Sequence, residues 1–383
     1  MNFNYLKIIG KGGYGVVYLL EERTTHKIYA GKYVKPRKMN PKELSLYKNE
    51  KAILRKYCIK PNPNIIYLYV VFKFEINTDE LVVLEYCNGG SLLQCLKDYI
   101  SKNGTPFPEK LVRHLMKQIL KGVKSLHKRG IIHRDLKLNN ILLKYNNNED
   151  LQSQNIYAAE IKIIDFNCSY MPNIDLPQTV LGTVPNMAPS IINNAFGFET
   201  MKTYDEKIDI WSLGTLCYEM LFGKSLFGNA QNYDMMQNIF NCNFLIPKTI
   251  SSNARNFLYC MLQKKGSDRL SAAQLLNHAF IKNNNIAIQI VNNNNLNNNK
   301  TNIFFNDLDC IKTVIITYTN DTLDNVVKKY LCRINRQDLL NDYKTKIKFT
   351  SNGKLLNSHF NKTIQQINLM NKLIQVNYSF ILL

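Results

Sequence analysis

Ile132-His133-Arg134-Asp135-Leu136-Lys137-Leu138-Asn139-Asn140-Ile141 brings a carboxylate, an ammonium and an amide into one short run. Asp135 can accept a hydrogen bond from an attacking hydroxyl and orient it toward a phosphoryl group. Lys137 can neutralise charge on a group in transfer, and Asn140 offers Mg²⁺ a neutral oxygen. Singly, each would be a surface polar residue or a turn former. Their order and spacing argue against that reading. Further on, Ile163-Ile164-Asp165-Phe166-Asn167 places a second carboxylate after an apolar, strand-like run. Asp165 is the carboxylate expected to hold a metal that bridges phosphates.

Upstream lies Ile9-Gly10-Lys11-Gly12-Gly13-Tyr14-Gly15-Val16-Val17. Gly10, Gly12 and Gly15 form G-x-G-x-x-G, in which backbone N–H groups can approach phosphate oxygens unhindered by side chains. Dinucleotide-binding folds use the same letters, but there the motif opens a helix. Here it lies between strand-like segments, and the chain has no Walker-type GxxxxGK[ST]. Lys32 follows on the next strand, and Glu50 lies on a helical segment near Pro41–Tyr57. A lysine held by a carboxylate can direct its charge at nucleotide phosphates.

With these residues in place, residues 4–282 resemble the eukaryotic protein kinases. The resemblance implies an α+β, bilobal fold with ATP and Mg²⁺ in the cleft. The N-lobe would cover 1–84, the hinge 85–90 and the C-lobe 91–282. It assigns Glu85 and Cys87 to the hinge, Leu84 to the gatekeeper position, and Val17 and Ala30 to the sides of the adenine. Leu54, Leu68, His133 and Phe166 would stack as a spine anchored by Asp209, with Trp211 in the core. Lys137 with Thr183 is similar to the serine/threonine pattern, so protein substrates bearing Ser or Thr are expected. Ser91 and Asn139 stand where many basophilic members carry Glu, which argues against a strong preference for arginine before the target. Gly214–Leu221 and Ser267–Ser271 resemble the ULK group of autophagy-initiating kinases. Arg134 is placed to sense a phosphate on the following loop, for which Thr179 is the best-placed acceptor.

The sequence departs from the family pattern at Asn167, Ser190 and Asn186. Asn167 replaces a glycine, and Asn tolerates left-handed backbone better than most residues. Metal binding is expected to survive there, and switching of the segment to change. Ser190 replaces a glutamate that pairs with a buried arginine, here Arg269. That predicts a substitute acceptor, Glu199 or Glu206, or a solvated guanidinium. Asn186 replaces an aromatic and is expected to weaken packing of the substrate loop.

Residues 283–301 are rich in asparagine and read as a linker. Beyond them, residues 302–383 return to alternating strands at Ile303–Phe305, Thr313–Tyr318, Ile347–Phe349 and Leu373–Val376. They resemble a ubiquitin-like β-grasp domain. Asp321-Thr322 suits a helix N-terminus, and Asn352-Gly353 suits a tight hairpin. A kinase followed by such a domain is similar to the IκB-kinase-related kinases, which implies a docking or regulatory partner. The terminal Phe380-Ile381-Leu382-Leu383 has no Gly-Gly tail for conjugation.

The chain has 383 residues, with 45% apolar, 20% charged and a formal charge of +20. Lys and Asn are abundant throughout, and no basic stretch is interleaved with aromatics, so nucleic-acid binding is not expected. The longest apolar run, Ile65–Phe72, is too short to span a bilayer, and the N-terminus lacks a signal peptide's apolar core. Nine scattered cysteines without a CxxC pair predict a reducing, cytoplasmic setting. Only Cys168, near Asp165, is placed to matter as a reactive thiol, and an idle thiol is the favoured reading there too. The competing readings are a pseudokinase scaffold acting through the C-terminal module, and a small-molecule or lipid kinase.

Overall fold

The computed structural model describes residues 2–12, 15–76, 78–170, 183–196, 205–228 and 232–282. Toward the C-terminus it describes 300–306, 312–318, 322–325, 327–328, 347–351, 354–355 and 373–378. The chain divides into two compact units, Met1–Ile246 with Phe257–Asn283 and Pro247–Asn256 with Asn284–Leu383.

In the first unit, β1 (Phe3–Gly12), β2 (Gly15–Glu22), β3 (Ile28–Val34), β4 (Leu68–Lys73) and β5 (Glu80–Glu85) form an antiparallel sheet in the order β1-β2-β3-β5-β4. One face of it buries Phe3, Leu20, Leu81 and Val83. Between β3 and β4 runs α1 (Pro41–Ile59), whose start is written in Asn40-Pro41-Lys42-Glu43. The Asn40 side chain accepts the Glu43 N–H at 2.9 Å and the Glu43 carboxylate accepts the Asn40 N–H at 3.0 Å, a reciprocal capping box. Tyr47 and Lys51 both bond to Glu80 on β5, Lys51 at 2.6 Å, which clasps the helix to the sheet.

The helical part contains α2 (Leu92–Asn103), α3 (Glu109–Lys128), a hairpin of β6 (Ile141–Lys144) and β7 (Glu160–Ile163) joined through α4 (Asn148–Ser153), then α5 (Pro189–Phe196), α6 (Lys207–Phe222) and α7 (Tyr233–Asn241). After these come α8 (Ser252–Met261), α9 (Ala272–Leu275) and α10 (Ala279–Lys282). In α3, Leu111, Leu115, Ile119, Val123 and Leu126 are buried at helical spacing, as their sequence pattern predicts. Gly122 lets α3 approach β7 closely, because a Cβ there would lie 2.7 Å from Ile163 Cδ1. By contrast, α6 is buried on all sides from Ile208 to Tyr218 and forms the core of this part. No helix among the described residues is long and apolar enough to cross a membrane.

In the second unit, β8 (Lys300–Asn306), β9 (Lys312–Tyr318), β10 (Ile347–Ser351), β11 (Lys354–Leu355) and β12 (Leu373–Tyr378) form a sheet in the order β11-β10-β12-β8-β9. The central β12–β8 pair is parallel and the other pairs are antiparallel. Ser351 pairs with Lys354 and Thr350 with Leu355, while Asn352-Gly353, where the tight turn is expected, lies outside the described residues. The Thr322 hydroxyl accepts the Asn325 N–H at 3.3 Å, the capping role expected of it. Two borders differ from the sequence reading. β8 starts at Lys300, inside the expected linker, because the β8–β9 pairing extends to Lys300 opposite Tyr318. Pro247–Asn256 also falls in the second unit.

Candidate nucleotide and phosphoryl-transfer site

A cleft of about 640 Å³ opens between the sheet and the helical part of the first unit. Ile9, Gly10, Lys11, Gly12, Val17 and Ala30 line it from the sheet, Glu85 and Cys87 from the connection, and Asp165 from the floor. Val16 does not line it, because strand alternation turns the neighbour of Val17 to the other face. Gly13 and Tyr14 lie outside the described residues.

The three glycines of the loop differ in what requires them. A Cβ on Gly15 would sit 2.1 Å from the Tyr33 carbonyl oxygen, so the β2–β3 pairing itself demands glycine. A Cβ on Gly12 would meet nothing nearer than the Gly15 oxygen at 4.0 Å, and one on Gly10 would make an ordinary 3.7 Å contact with Val17. Among the described residues, nothing requires glycine at those two places. Room for a group in the cleft is the requirement that remains.

Lys32 Nζ lies 2.8 Å from Glu50 Oε2 and 3.0 Å from Oε1, joining β3 to α1. Burial raises the Glu50 carboxyl above its ordinary range, against the pull of the Lys32 ammonium. Behind the cleft, Leu54, Leu68, His133 and Phe166 are all buried, with the His133 and Phe166 rings 5.1 Å apart. Asp209 accepts the His133 N–H at 2.9 Å, the Arg134 N–H at 2.9 Å and a 2.8 Å bond with His127 Nε2. Burial alone would raise the Asp209 carboxyl, but the His127 bond and charge and the His133 bond hold it below the usual range. Arg134 takes a left-handed φ of 65°. The fully buried Asp209 therefore secures a segment that its own backbone preference would not.

That segment carries the transfer groups. Lys137 Nζ donates to Asp135 Oδ2 at 2.8 Å and to Thr183 Oγ1 at 2.8 Å, and Thr183 Oγ1 donates to Asp135 Oδ1 at 2.8 Å. The Asn140 amide nitrogen donates to the Asp135 carbonyl at 2.8 Å and to its Oδ2 at 3.0 Å, which leaves its oxygen as the available ligand. Asn140 is also tied to the segment leading from β7 to Asp165, through the Ile164 N–H, 3.0 Å from its carbonyl. One carboxylate with one amide oxygen suits Mg²⁺, which takes few protein ligands and completes its shell with phosphates and water. Thus the residues singled out in the sequence converge, although Thr179 lies outside the described residues. Arg134 is buried, with its guanidinium 4.7 Å from the Tyr170 ring.

Three expectations need correction. Asn167 is not among the residues with positive φ; Asp165 is, at 65°, and Asn167 instead donates its amide to Asp165 Oδ1 at 2.6 Å. Arg269 is neither solvated nor paired with a carboxylate among the described residues. Its guanidinium donates to the carbonyls of Gln263 at 2.8 Å, Lys207 at 2.8 Å and Lys264 at 3.1 Å, and lies 5.2 Å from the Trp211 ring. Burial lowers its pKa to about 10, and Glu199 lies outside the described residues. Asn186 does not merely lose aromatic packing, for its carbonyl accepts the Ser212 hydroxyl at 2.7 Å and its side chain accepts the Thr215 hydroxyl at 2.9 Å. Cys168 fits the favoured reading of an idle thiol, since burial first and then Asp135 and Asp165 push it up to about 11.

Sequence reasoning did not pick out Ile66, Asn88, Leu142 and Ile164, which also line the cleft. Leu142 had a signal: it sits in an apolar strand two residues past Asn140, where alternation with the buried Ile141 and Leu143 turns it to the opposite face.

Residues 3–281 match the protein kinase domain family. The chain is 30% identical over 284 residues to serine/threonine-protein kinase PLK4 of Xenopus laevis, covering 73% of this chain and 27% of that protein. It is 31% identical over 284 residues to an Aurora kinase of Patiria pectinifera, covering 73% of this chain and 63% of the relative. An Aurora kinase of Encephalitozoon cuniculi is 30% identical over 285 residues, covering 73% of this chain and 93% of the relative. These relatives include serine/threonine kinases from the PLK4 and Aurora branches. On the matched span and the cleft together, the chain belongs to the protein kinase domain family.

Proposed function

We propose that this protein transfers the γ-phosphate of ATP to serine or threonine hydroxyls of other proteins. The observation that carries the reading is the closed set of bonds among Asp135, Lys137, Thr183 and Asn140, each between 2.8 and 3.0 Å. When bound, ATP and Mg²⁺ supply the transferable phosphoryl group and the charge that offsets its oxygens. The chain's own residues do the rest. Asp135 accepts the hydrogen bond of the incoming hydroxyl and fixes its direction, while Lys137 compensates charge beside it. Lys32, aimed by Glu50, neutralises the phosphates at the far side, and Asp165 and Asn140 hold the cation. Thr183 bridges Asp135 and Lys137 next to the substrate loop, which supports Ser/Thr acceptors.

The test is transfer of label from ATP to a generic protein substrate, comparing wild type with Asp135→Asn. We expect a fall of about a thousandfold in kcat. No label on any polypeptide from wild type would favour a pseudokinase scaffold instead.

We read the second unit as a ubiquitin-like docking or regulatory module. Its central parallel pair of first and last strands, flanked by hairpins, supports this. The pairing of such a module with a ULK-like kinase part is the arrangement we infer for the whole. The described cysteines are all free, which supports a cytoplasmic setting. Arg134 and Thr179 would form the loop switch, and an unchanged activity in Thr179→Ala would remove that idea.

A further inference from the structure

We propose that Asn167 is a positioning residue of the cation site, holding the Asp165 carboxylate in the orientation that metal binding needs. The inference rests on the reading of Asp165 as a metal ligand. Asp165 lies in left-handed backbone at φ 65°, a conformation that an aspartate tolerates at some cost. Asn167 does not share it, so the departure from glycine is not explained by backbone geometry. Its side chain explains it better. A carboxylate offers only acceptors, so the Asn167 nitrogen must face Asp165 Oδ1, 2.6 Å away. The amide oxygen is then buried without a hydrogen-bond partner among the described residues.

The rest of the segment is anchored at its far end. Asn49 Nδ2 donates to the Ser169 carbonyl at 2.6 Å, and Tyr170 exchanges backbone bonds with Ile132 at 2.8 and 3.0 Å. Ser169 Oγ donates to the His133 carbonyl at 3.3 Å. The Asn167 bond closes the near end. Oδ2 stays uncommitted to any side-chain donor in the described residues, so the carboxylate is oriented and still able to ligate. A glycine here supplies no such bond and adds backbone freedom instead.

The measurement is the Mn²⁺ dissociation constant of the full chain with a non-hydrolysable ATP analogue, read by electron paramagnetic resonance. Wild type, Asn167→Ala, Asn167→Gly and Asp165→Ala are compared, with thermal midpoints recorded alongside. We expect about tenfold weaker Mn²⁺ binding in Asn167→Ala and Asn167→Gly, the loss typical of a group that orients a metal ligand. If Asn167→Ala fails to fold, Asn167→Gly, which restores the family's usual residue, carries the test. Affinity in the folded Asn167 variants within about twofold of wild type overturns the inference while a weakened Asp165→Ala leaves the site reading intact. Unchanged affinity in Asp165→Ala removes both.

Discussion

Two regions of the first unit, the transfer segment and the glycine strand, are held in opposite ways. Between Ile132 and Asn140, His133, Arg134, Asp135 and Asn140 are all buried, and Asp209 pins the backbone from beneath. By contrast, β1 buries only Phe3 along its length, and a Cβ added at Gly10 or Gly12 would make no close contact among the described residues. The transfer groups are over-determined by buried hydrogen bonds, where the low local dielectric strengthens each bond and makes each loss costly. Past Phe3, which packs on Tyr29 and Phe72, the backbone of the glycine strand is held by its ladder to β2, and its glycine end leaves space for a large anionic ligand to enter and leave. Rigidity is concentrated where atoms react, and room is left where a ligand binds.

The largest effect should come from Asp209→Ala. It strips the acceptor from the His133 and Arg134 N–H groups and from His127, and we expect a loss of about 4 kcal/mol with a large fall in kcat. Denaturant unfolding and initial rates check it, and a stable, active variant would break the comparison. Next, Arg269→Met should cost about 3 kcal/mol, because its contribution is hydrogen bonding to carbonyls that become unsatisfied. Unchanged stability there would mean that those carbonyls find other partners without loss.

Acid should act on the helical part before the glycine strand. His278 is pushed down to about 4 by burial, and its Nδ1 accepts the Phe280 N–H at 3.1 Å, a bond only the neutral ring can make. Its folded pKa lies below its unfolded one, so the unfolded chain binds the extra proton in between. The stability it contributes is whole above about pH 6.5 and falls as pH drops toward 4, by about 2 kcal/mol at pH 5. Unfolding free energies at pH 7 and about pH 5 should show this slope, and His278→Asn should flatten it. The smallest effect on stability belongs to Gly12→Ala, within about 0.5 kcal/mol of wild type. Its KM for ATP should nevertheless rise severalfold, and an unchanged KM would mean the glycine is not there for the ligand.

Much of this was legible in the sequence because the informative residues are close together along it. Asp135, Lys137 and Asn140 share one segment, and α1 announces itself through Asn40, Pro41 and Glu43. Where the reading failed, the reason was distance along the chain or a choice among bonding partners. Arg269 finds one of its carbonyls 62 positions away at Lys207, a contact no local pattern encodes. Asn186 compensates for a lost aromatic through hydroxyls on α6, which only packing brings to it.

Sequence alone determined the inventory: which groups can bind phosphate, metal and hydroxyl, and roughly where helices and strands begin. Such signals are local, since capping, alternation and glycine spacing act over a few residues. Tertiary structure decided the assignments the sequence left open: that Arg269 donates to backbone carbonyls, that Asn186 receives hydroxyls from α6, and that Asn167 turns its amide to Asp165. Buried polar groups must find partners wherever the folded chain offers them, and that accounting closes only in three dimensions.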